Sequence, residues 1–267
     1  MFTVVIPLYN KELSIRNTIQ TVLNQTYQDF EIVVINDGST DKGVKIVESI
    51  KDNRIRLIQQ ENQGVSAARN RGIKEANYDW IAFLDADDLW EVNHLEEINK
   101  MMALFPNEKI YVTSFEYSDG RVMFKHARQT PIFKIENYFK EVVKERLVWT
   151  SVIVVNKECF DKVGCFNIKI NRGEDLDLWM RLAREYEIIK SVKITAIYNI
   201  EDLLSLTKSK SNYNQSILSI INLKNKKNHE RVYLKRMLFR RIKLDIKTLD
   251  FNDLAKILIK HNFDLLR

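Results

Sequence analysis

The sequence is poor in residues that interrupt regular structure, with 3 prolines and 7 glycines among 267 residues. Charged residues make up 29% and hydrophobic residues 45%. This balance excludes a disordered or low-complexity chain and predicts a substantial core. The chain also lacks any apolar run of about 20 residues, so no membrane-spanning helix is predicted. Its first residues lack the charged and apolar segments of a signal peptide.

Cysteine is scarce as well. Cys159 and Cys165 are the two cysteines, and they form neither a CxxC pair nor a metal-ligand cluster. We interpret them as small core residues in a reducing compartment, with a disulfide as the alternative. Together with the missing signal peptide, this predicts a cytoplasmic location.

What the first hundred residues do contain is an alternation of strand and helix patterns. Uninterrupted apolar runs predict strands at residues 2–6, 30–35, 55–58 and 80–84. Helical periodicity follows each strand, at residues 12–23, after a cap at Ser39 or Thr40, at 66–76 and at 95–105. This alternation is typical of a parallel sheet flanked by helices, whose ligands bind at the carboxyl ends of the strands. The segments PLYN, NDGSTD and DADD should therefore share one rim.

The later sequence predicts a strand at 148–155, helices at 157–163 and 175–186, and strand structure at 188–198. Helical patterns follow at 212–225, 233–246 and 252–259. Between Lys208 and Lys247 there are twelve lysines and arginines against Glu230 and Asp245. This shift in composition, near Leu206, predicts two parts: an α/β domain at 1–206 and a basic helical extension at 207–267.

The segment DADD places Asp85, Asp87 and Asp88 directly after the fourth predicted strand. Like charges this close repel each other, so a cation at this point would stabilise them. Asp85 and Asp87 can reach one region, and two carboxylates plus a diphosphate commonly hold Mg²⁺ or Mn²⁺. Asp88 is predicted to start the following helix. The alternative is that all three are turn and capping residues.

Three other residues lie on the same predicted rim. Asp37 ends the second strand and can accept hydrogen bonds from a base or a ribose, or serve a turn. Tyr9 can stack on a base, or pack internally. Asp175, in the segment GED, lies where a loop enters a helix, so it can face the rim or serve the helix N-terminus.

Together, the motifs VVIPLYN, VVINDGSTD, NQGVSAARNRG, FLDADD and GED resemble, in order and spacing, those of glycosyltransferase family 2. The resemblance covers about residues 2–200. It implies a GT-A fold, which is a Rossmann-like α/β fold with a mostly parallel central sheet and flanking helices. It also implies transfer of a sugar from a nucleotide-diphosphate donor.

The resemblance further implies a role for each matching residue. Residues around the nucleotide and its sugar would be Pro7, Tyr9, Glu12, Asp37, Gly64, Arg69 and Asp85, with Arg71 and Lys74 as rivals of Arg69. Asp87, with Asp85, would hold Mn²⁺ or Mg²⁺ against the diphosphate. Asp175 would be the general base of an inverting reaction, with Asp177 as a competitor on another helix face. Trp149 and Thr150 would lie near the acceptor.

One departure from the family bears on the product. The helix after GED reads LWMRLAREY and lacks the QxxRW motif of processive members. We therefore expect transfer of a single sugar. The family resemblance further implies a uridine diphosphate donor and a glycan or lipid-linked acceptor in bacterial-type surface polysaccharide synthesis.

Other functions fit the sequence less well. The alternative is a non-catalytic nucleotide-sugar-binding or membrane-associated partner subunit. Nucleic-acid binding is not expected, because no such motif accompanies the basic extension. A nucleotidyltransferase would need a glycine-rich basic loop where this chain has PLYNKELS. The basic helices predict either attachment to an anionic inner membrane face or a cap on the domain.

Overall fold

The computed structural model describes residues 1–121, 130–200 and 212–266. Its centre is a nine-stranded mixed sheet. The strands are β1 (Phe2–Leu8), β2 (Phe30–Asp37), β3 (Ile55–Gln60), β4 (Trp80–Phe83), β5 (Leu89–Trp90), β6 (Ile110–Tyr117), β7 (Ile132–Lys134), β8 (Ile153–Asn156) and β9 (Ile189–Tyr198). The helices are α1 (Ile15–Leu23), α2 (Gly43–Ser49), α3 (Val65–Glu75), α4 (His94–Leu104), α5 (Tyr138–Glu141), α6 (Glu158–Val163), α7 (Glu174–Glu185), α8 (Asn228–Lys247) and α9 (Phe251–Leu266).

One half of the sheet is parallel. Strands β3, β2, β1 and β4 lie side by side in this order, and every pairing among them is parallel. Nearly all residues of β1 and all of β2 are buried, as expected for strands covered by helices on both faces. The four predicted strands of this half are therefore confirmed, and their carboxyl ends lie at one edge.

The other half of the sheet is mixed. Strand β8 pairs antiparallel with β4 and β6, whereas β6 and β9 pair in parallel with two register shifts. Strands β5 and β7 both pair antiparallel with β9. The predicted strand at 148–155 is shorter than expected, because Thr150–Val152 forms a 3₁₀ turn before β8 begins. The overall α/β architecture, with helices beside a central sheet, is as predicted.

Helix α3 approaches the sheet closely. A Cβ atom on Gly72 would lie 2.2 Å from Cγ1 of Val5, so only glycine fits there against β1. Helix α2 begins at Gly43, where the carboxylate of Asp41 accepts the backbone N–H of Gly43. The predicted cap at Ser39 or Thr40 is therefore wrong, since both residues lie in the loop before the helix.

The C-terminal helices pack on the sheet-containing part of the chain. Glu230 at the start of α8 accepts hydrogen bonds from Arg184 of α7. Within the extension, the buried guanidinium of Arg241 pairs with Asp245 at 2.7 Å and with Asp253 of α9 at 2.6 Å. Helices α8 and α9 confirm the two last predicted helices. The predicted boundary near Leu206 lies outside the described residues, so the division into 1–206 and 207–267 stays a prediction.

The predicted helix at 212–225 is wrong. Two 3₁₀ turns, Tyr213–Gln215 and Ile217–Ser219, are found there instead. The side chain of Asn212 accepts the N–H of Asn214, and the Ser216 hydroxyl donates to the carbonyl of Tyr213. Such local bonds compete with helical ones. Within the described part of the chain, no helix combines the length and the apolar character needed to cross a bilayer.

Candidate functional site

A cleft of about 550 Å³ lies at the carboxyl ends of β1, β2 and β4, a volume in the range of about 300–1,000 Å³ usual for ligand sites. The three predicted rim segments all contribute to it. The structure thus brings together most residues that the sequence singled out. Those lining the cleft are Pro7, Tyr9, Asp37, Gly64, Arg69, Asp85, Asp87, Asp175, Trp149 and Thr150.

Glu12 is not among the lining residues. Its carboxylate accepts the backbone N–H of Lys42 at 2.8 Å, and its own N–H donates to Asp41 at 2.8 Å. These bonds connect the loop after β1 to the loop after β2. Glu12 therefore shapes the rim from outside the cleft. Tyr9, in contrast, lines the cleft and is 48% exposed, so a ligand in the cleft can reach its side chain.

Asp37 organises the loop that enters α3. Its carboxylate accepts the backbone N–H groups of Gln63 and Gly64, at 2.9 and 2.8 Å, and the Gln60 amide at 2.7 Å. Gly64 has φ +87°, a conformation that favours glycine. Asp37 therefore serves a turn, as one of its two predicted roles requires, and it also lines the cleft.

Arg69 connects two carboxylates that are far apart in sequence. Its guanidinium lies 2.6 Å from Asp85 and 3.0 Å from Glu174, and its side chain is 5% exposed. Burial alone would lower the pKa of Arg69, but these carboxylates outweigh burial and raise it. The rivals of Arg69 lie elsewhere: Arg71 pairs with Glu75 on the helix surface, and Lys74 is exposed.

Asp85 pairs with Arg69, whereas Asp87 pairs with a lysine. Its carboxylate oxygen is 2.6 Å from the ammonium of Lys11, which also lines the cleft. The side chains of Asp85 and Asp87 keep 23% and 15% exposure. Among the described residues, no three His, Cys, Asp or Glu side chains come together as metal ligands. Two carboxylates fit a hard cation that completes its shell with diphosphate and water oxygens.

The prediction that Asp88 starts a helix is wrong. Asp88 is fully buried, and α4 begins six residues later at His94. Its carboxylate accepts the Ser151 hydroxyl at 2.5 Å, the Trp149 indole at 3.3 Å and the N–H of Asn199 at 3.2 Å. Burial first, and then the neighbouring carboxylates, hold the pKa of Asp88 well above its usual value. Asp88 therefore fixes the cleft residue Trp149 from a buried position.

Asp175 lies in the first turn of α7, which starts after Gly173. Burial and the adjacent Glu174 raise the pKa of Asp175 to about 6, although Arg69 and Arg146 act in the opposite direction. A carboxyl group with this pKa can accept a proton near neutral pH. Asp177 is 9% exposed and pairs with Arg181, so it serves the helix and not the cleft.

An aromatic wall closes the cleft near Asp88. The rings of Trp149 and Tyr198 have centroids 4.5 Å apart, and both line the cleft. The guanidinium of Arg146 lies 4.6 Å from the Trp149 ring. Such a wall suits a ligand with an apolar face and polar edges.

The loop that carries Gly173 is held by the C-terminal extension. The N–H of Ile217 donates to the carbonyl of Arg172, and the N–H of Asn171 donates to Gln215, both at 2.9 Å. A Cβ atom on Gly173 would lie 2.7 Å from Cγ2 of Ile217. Sequence reasoning missed this contact, and it also missed Lys11 and Arg172 as lining residues. Lys11 directly follows PLYN and Arg172 directly precedes GED, and these positions could have indicated that both residues line the cleft.

A search among known proteins assigns the family. The family model "Glycosyl transferase family 2" matches residues 3–164. An uncharacterised glycosyltransferase of Rickettsia bellii is 33% identical over 183 residues, which are 68% of this chain and 26% of that protein. Glycosyltransferase GlyA of Streptococcus pneumoniae is 36% identical over 124 residues, which are 46% of this chain and 18% of GlyA. The chain thus spans about a quarter or less of these two relatives.

Solved structures share the fold. The structure of residues 1–349 of Staphylococcus aureus TarS in complex with UDP-GlcNAc matches with a TM-score of 0.72 at 17% identity, over 98% of this chain and 72% of that one. The same protein in complex with UDP matches with a TM-score of 0.64 at 20% identity, over 74% of this chain and 60% of that one. On the family match, together with the GT-A-type architecture and the five motifs, this chain belongs to glycosyl transferase family 2.

Proposed function

We propose that this chain transfers one sugar from a nucleotide-diphosphate donor to a hydroxyl group of a glycan or lipid-linked acceptor. The observation that carries the proposal is a single cleft that brings Asp85 and Asp87 together with Asp175. These are the groups that such a reaction needs at the diphosphate and at the attacking hydroxyl. Polysaccharide synthesis of a bacterial type is the role we propose for the product.

The donor would bind on the side of β1 and β2. Tyr9 offers an exposed ring for the base, and Asp37 offers a carboxylate beside it. Arg69 would hold Asp85 in position through its buried ion pair. The TarS complexes with UDP and UDP-GlcNAc support a uridine diphosphate donor as the first choice.

A divalent cation, Mn²⁺ or Mg²⁺, is part of the proposal. Asp87, with Asp85, would hold it, and the cation would supply positive charge where the diphosphate leaves. The residues of this chain then have two tasks, to place the donor and to keep both carboxylates directed into the cleft. Arg69 would carry out the second task at Asp85, and Lys11 would hold Asp87 before the donor binds.

Asp175 would act as the general base. It would accept the proton of the acceptor hydroxyl while that oxygen bonds to the anomeric carbon and the bond to the diphosphate breaks. A single displacement inverts the anomeric configuration. Trp149 and Tyr198 would line the acceptor side, and the missing QxxRW motif favours one transfer per acceptor.

Calorimetric titration of nucleoside diphosphates tests the donor site. We expect UDP to bind the native chain in the presence of Mn²⁺, and Asp87→Ala to lose the dependence on Mn²⁺. Asp175→Asn should bind UDP as the native chain does, because in this proposal Asp175 acts on the acceptor hydroxyl and not on the donor. If no nucleoside diphosphate binds the folded, Mn²⁺-loaded chain, the proposal is wrong.

A transfer assay separates the enzyme from a non-catalytic subunit. UDP release from UDP-sugars with candidate glycan acceptors should be lost in Asp175→Asn, and NMR of the product should give the inverted anomer. UDP binding without any turnover by the native chain would favour the alternative, a non-catalytic nucleotide-sugar-binding or membrane-associated partner subunit.

We also propose that the extension attaches the chain to an anionic membrane surface, such as the inner face of a cytoplasmic membrane. One face of α8 alternates exposed apolar and basic residues at spacings of three and four, namely Val232, Arg236, Phe239, Lys243 and Ile246. The two acidic residues of α8, Glu230 and Asp245, are buried in ion pairs. Such a face suits an anionic lipid surface.

Vesicle sedimentation tests the attachment. The chain should sediment with vesicles that contain phosphatidylglycerol and not with neutral ones, and the double variant R236E/K243E should lose binding. The control K45E/K51E makes the same charge change on α2 and the loop after it, and should bind as before. Equal binding to neutral and anionic vesicles, or salt-sensitive binding to an oligonucleotide in place of vesicles, would contradict the attachment.

A further inference from the structure

Lys11 and Asp87 form an ion pair inside the cleft that connects two different loops. Lys11 follows β1 and Asp87 follows β4, and their charged atoms are 2.6 Å apart. The side chains are 16% and 15% exposed, so water screens the pair only in part. Both residues line the cleft.

The positive charge of Lys11 offsets part of the negative charge of the DADD segment. The three carboxylates of DADD lie within four positions. Besides Asp87, which pairs with Lys11, Asp85 and Asp88 have partners of their own. Asp85 pairs with Arg69, whereas Asp88 is buried under Trp149 and Ser151. Lys11 therefore supplies positive charge at the carboxylate that a divalent cation would use.

We propose that Lys11 and the divalent cation compete for Asp87, and that a nucleoside diphosphate relieves this competition. The identities of the cation and the diphosphate rest on the proposed function. When the diphosphate enters the cleft, its oxygens offer the ammonium of Lys11 a new partner. Asp87 then becomes available to the cation. Lys11 is thus a positioning residue that makes cation and diphosphate bind cooperatively.

Cation binding without nucleotide tests the competition. Free Mn²⁺, measured by electron paramagnetic resonance, gives the affinity of the native chain and of Lys11→Met. We expect Mn²⁺ to bind Lys11→Met roughly 5- to 30-fold more tightly, the factor that one or two kcal/mol represents. The control Lys42→Met removes the same charge from an exposed residue outside the cleft, and should change the affinity less than about 2-fold, because exposed charges are screened.

The same measurement with UDP tests the coupling. UDP should tighten Mn²⁺ binding in the native chain by a larger factor than in Lys11→Met. By linkage, Mn²⁺ should tighten UDP binding by the same two factors. Calorimetry with UDP as the titrant gives this second set, so each factor is measured twice.

The outcomes separate the inference from the proposed function. Equal Mn²⁺ affinity of the native chain and Lys11→Met overturns the competition, as does a lack of Mn²⁺ binding in both. An equal effect of UDP in both proteins overturns the coupling. If Lys11→Met binds Mn²⁺ more tightly but neither protein binds UDP, the competition holds, and the coupling and the proposed donor fail together.

Discussion

The contact between Gly173 and Ile217 allows a matched pair of substitutions. Gly173 has φ +78°, and Gly120 has φ +79°. An alanine at either site carries the cost of the left-handed conformation, about 1–2 kcal/mol. The surroundings differ, because a Cβ atom on Gly173 meets Ile217 at 2.7 Å, whereas one on Gly120 has no described atom within 4 Å.

Overpacking adds about 1–3 kcal/mol at Gly173 alone. Gly173→Ala should therefore lower the free energy of unfolding by about 2–5 kcal/mol, and Gly120→Ala by about 1–2 kcal/mol. Urea unfolding followed by circular dichroism measures both values. Equal losses in the two variants would refute the argument from the Ile217 contact.

A double variant sharpens this test. Ile217 is 4% exposed, and Ile217→Ala should by itself cost about 2–5 kcal/mol. It also removes the Cγ2 atom that an alanine at Gly173 would meet. Gly173→Ala/Ile217→Ala should therefore lose less stability than the sum of the single variants. Additive losses would show that the two sites do not share a contact.

Three further predictions concern charged groups. Turnover should fall as the pH drops through about 6, because the raised pKa of Asp175 leaves less of the ionised base; a pH profile of turnover without an acidic limb would contradict its role. Burial lowers the pKa of Lys190 to about 7. Between this value and about pH 10.4 the unfolded chain therefore binds more protons than the folded chain. The free energy of unfolding should rise with pH above about 7 relative to Lys190→Met, and parallel pH curves for the two proteins would be inconsistent with this. Arg69→Met should cost about 3–5 kcal/mol in urea unfolding, because it leaves its two carboxylates without the guanidinium; a loss below about 1 kcal/mol would mean that solvent replaces it.

The parallel half of the fold was predictable because its signals are local. The apolar runs that become β1, β2 and β4 are continuous, and the helices α1, α2 and α3 follow β1, β2 and β3 in turn. The extension was less predictable. Residues 212–225 carry an apolar periodicity, but two hydrogen bonds with the loop before α7 compete with helix formation: Ile217 N–H donates to Arg172, and the Gln215 carbonyl accepts from Asn171. Such partners are 44 or 45 positions away in sequence, beyond the reach of periodicity.

The cleft was predictable as a set of residues and not as a set of contacts. Motif order placed Asp37, Asp85, Asp87 and Asp175 at one rim, and they line one cleft. Which lysine or arginine pairs with each carboxylate depends on how far those side chains extend across the rim. Burial of Asp88 likewise depends on contacts with the 3₁₀ turn before β8 and with Asn199 after β9, which no local sequence pattern indicates.

The bonds between the loop before α7 and the extension also bear on synthesis at the ribosome. Strands β1 to β4 and helix α3 are complete by residue 83, so the side of the cleft formed after β1 and β2 has its elements early. The backbone of Arg172 receives the N–H of Ile217 only after 45 more residues have been added. The turn that carries Asp175 is therefore fixed late, after the side of the cleft formed after β1 and β2 has had time to form on the emerging chain.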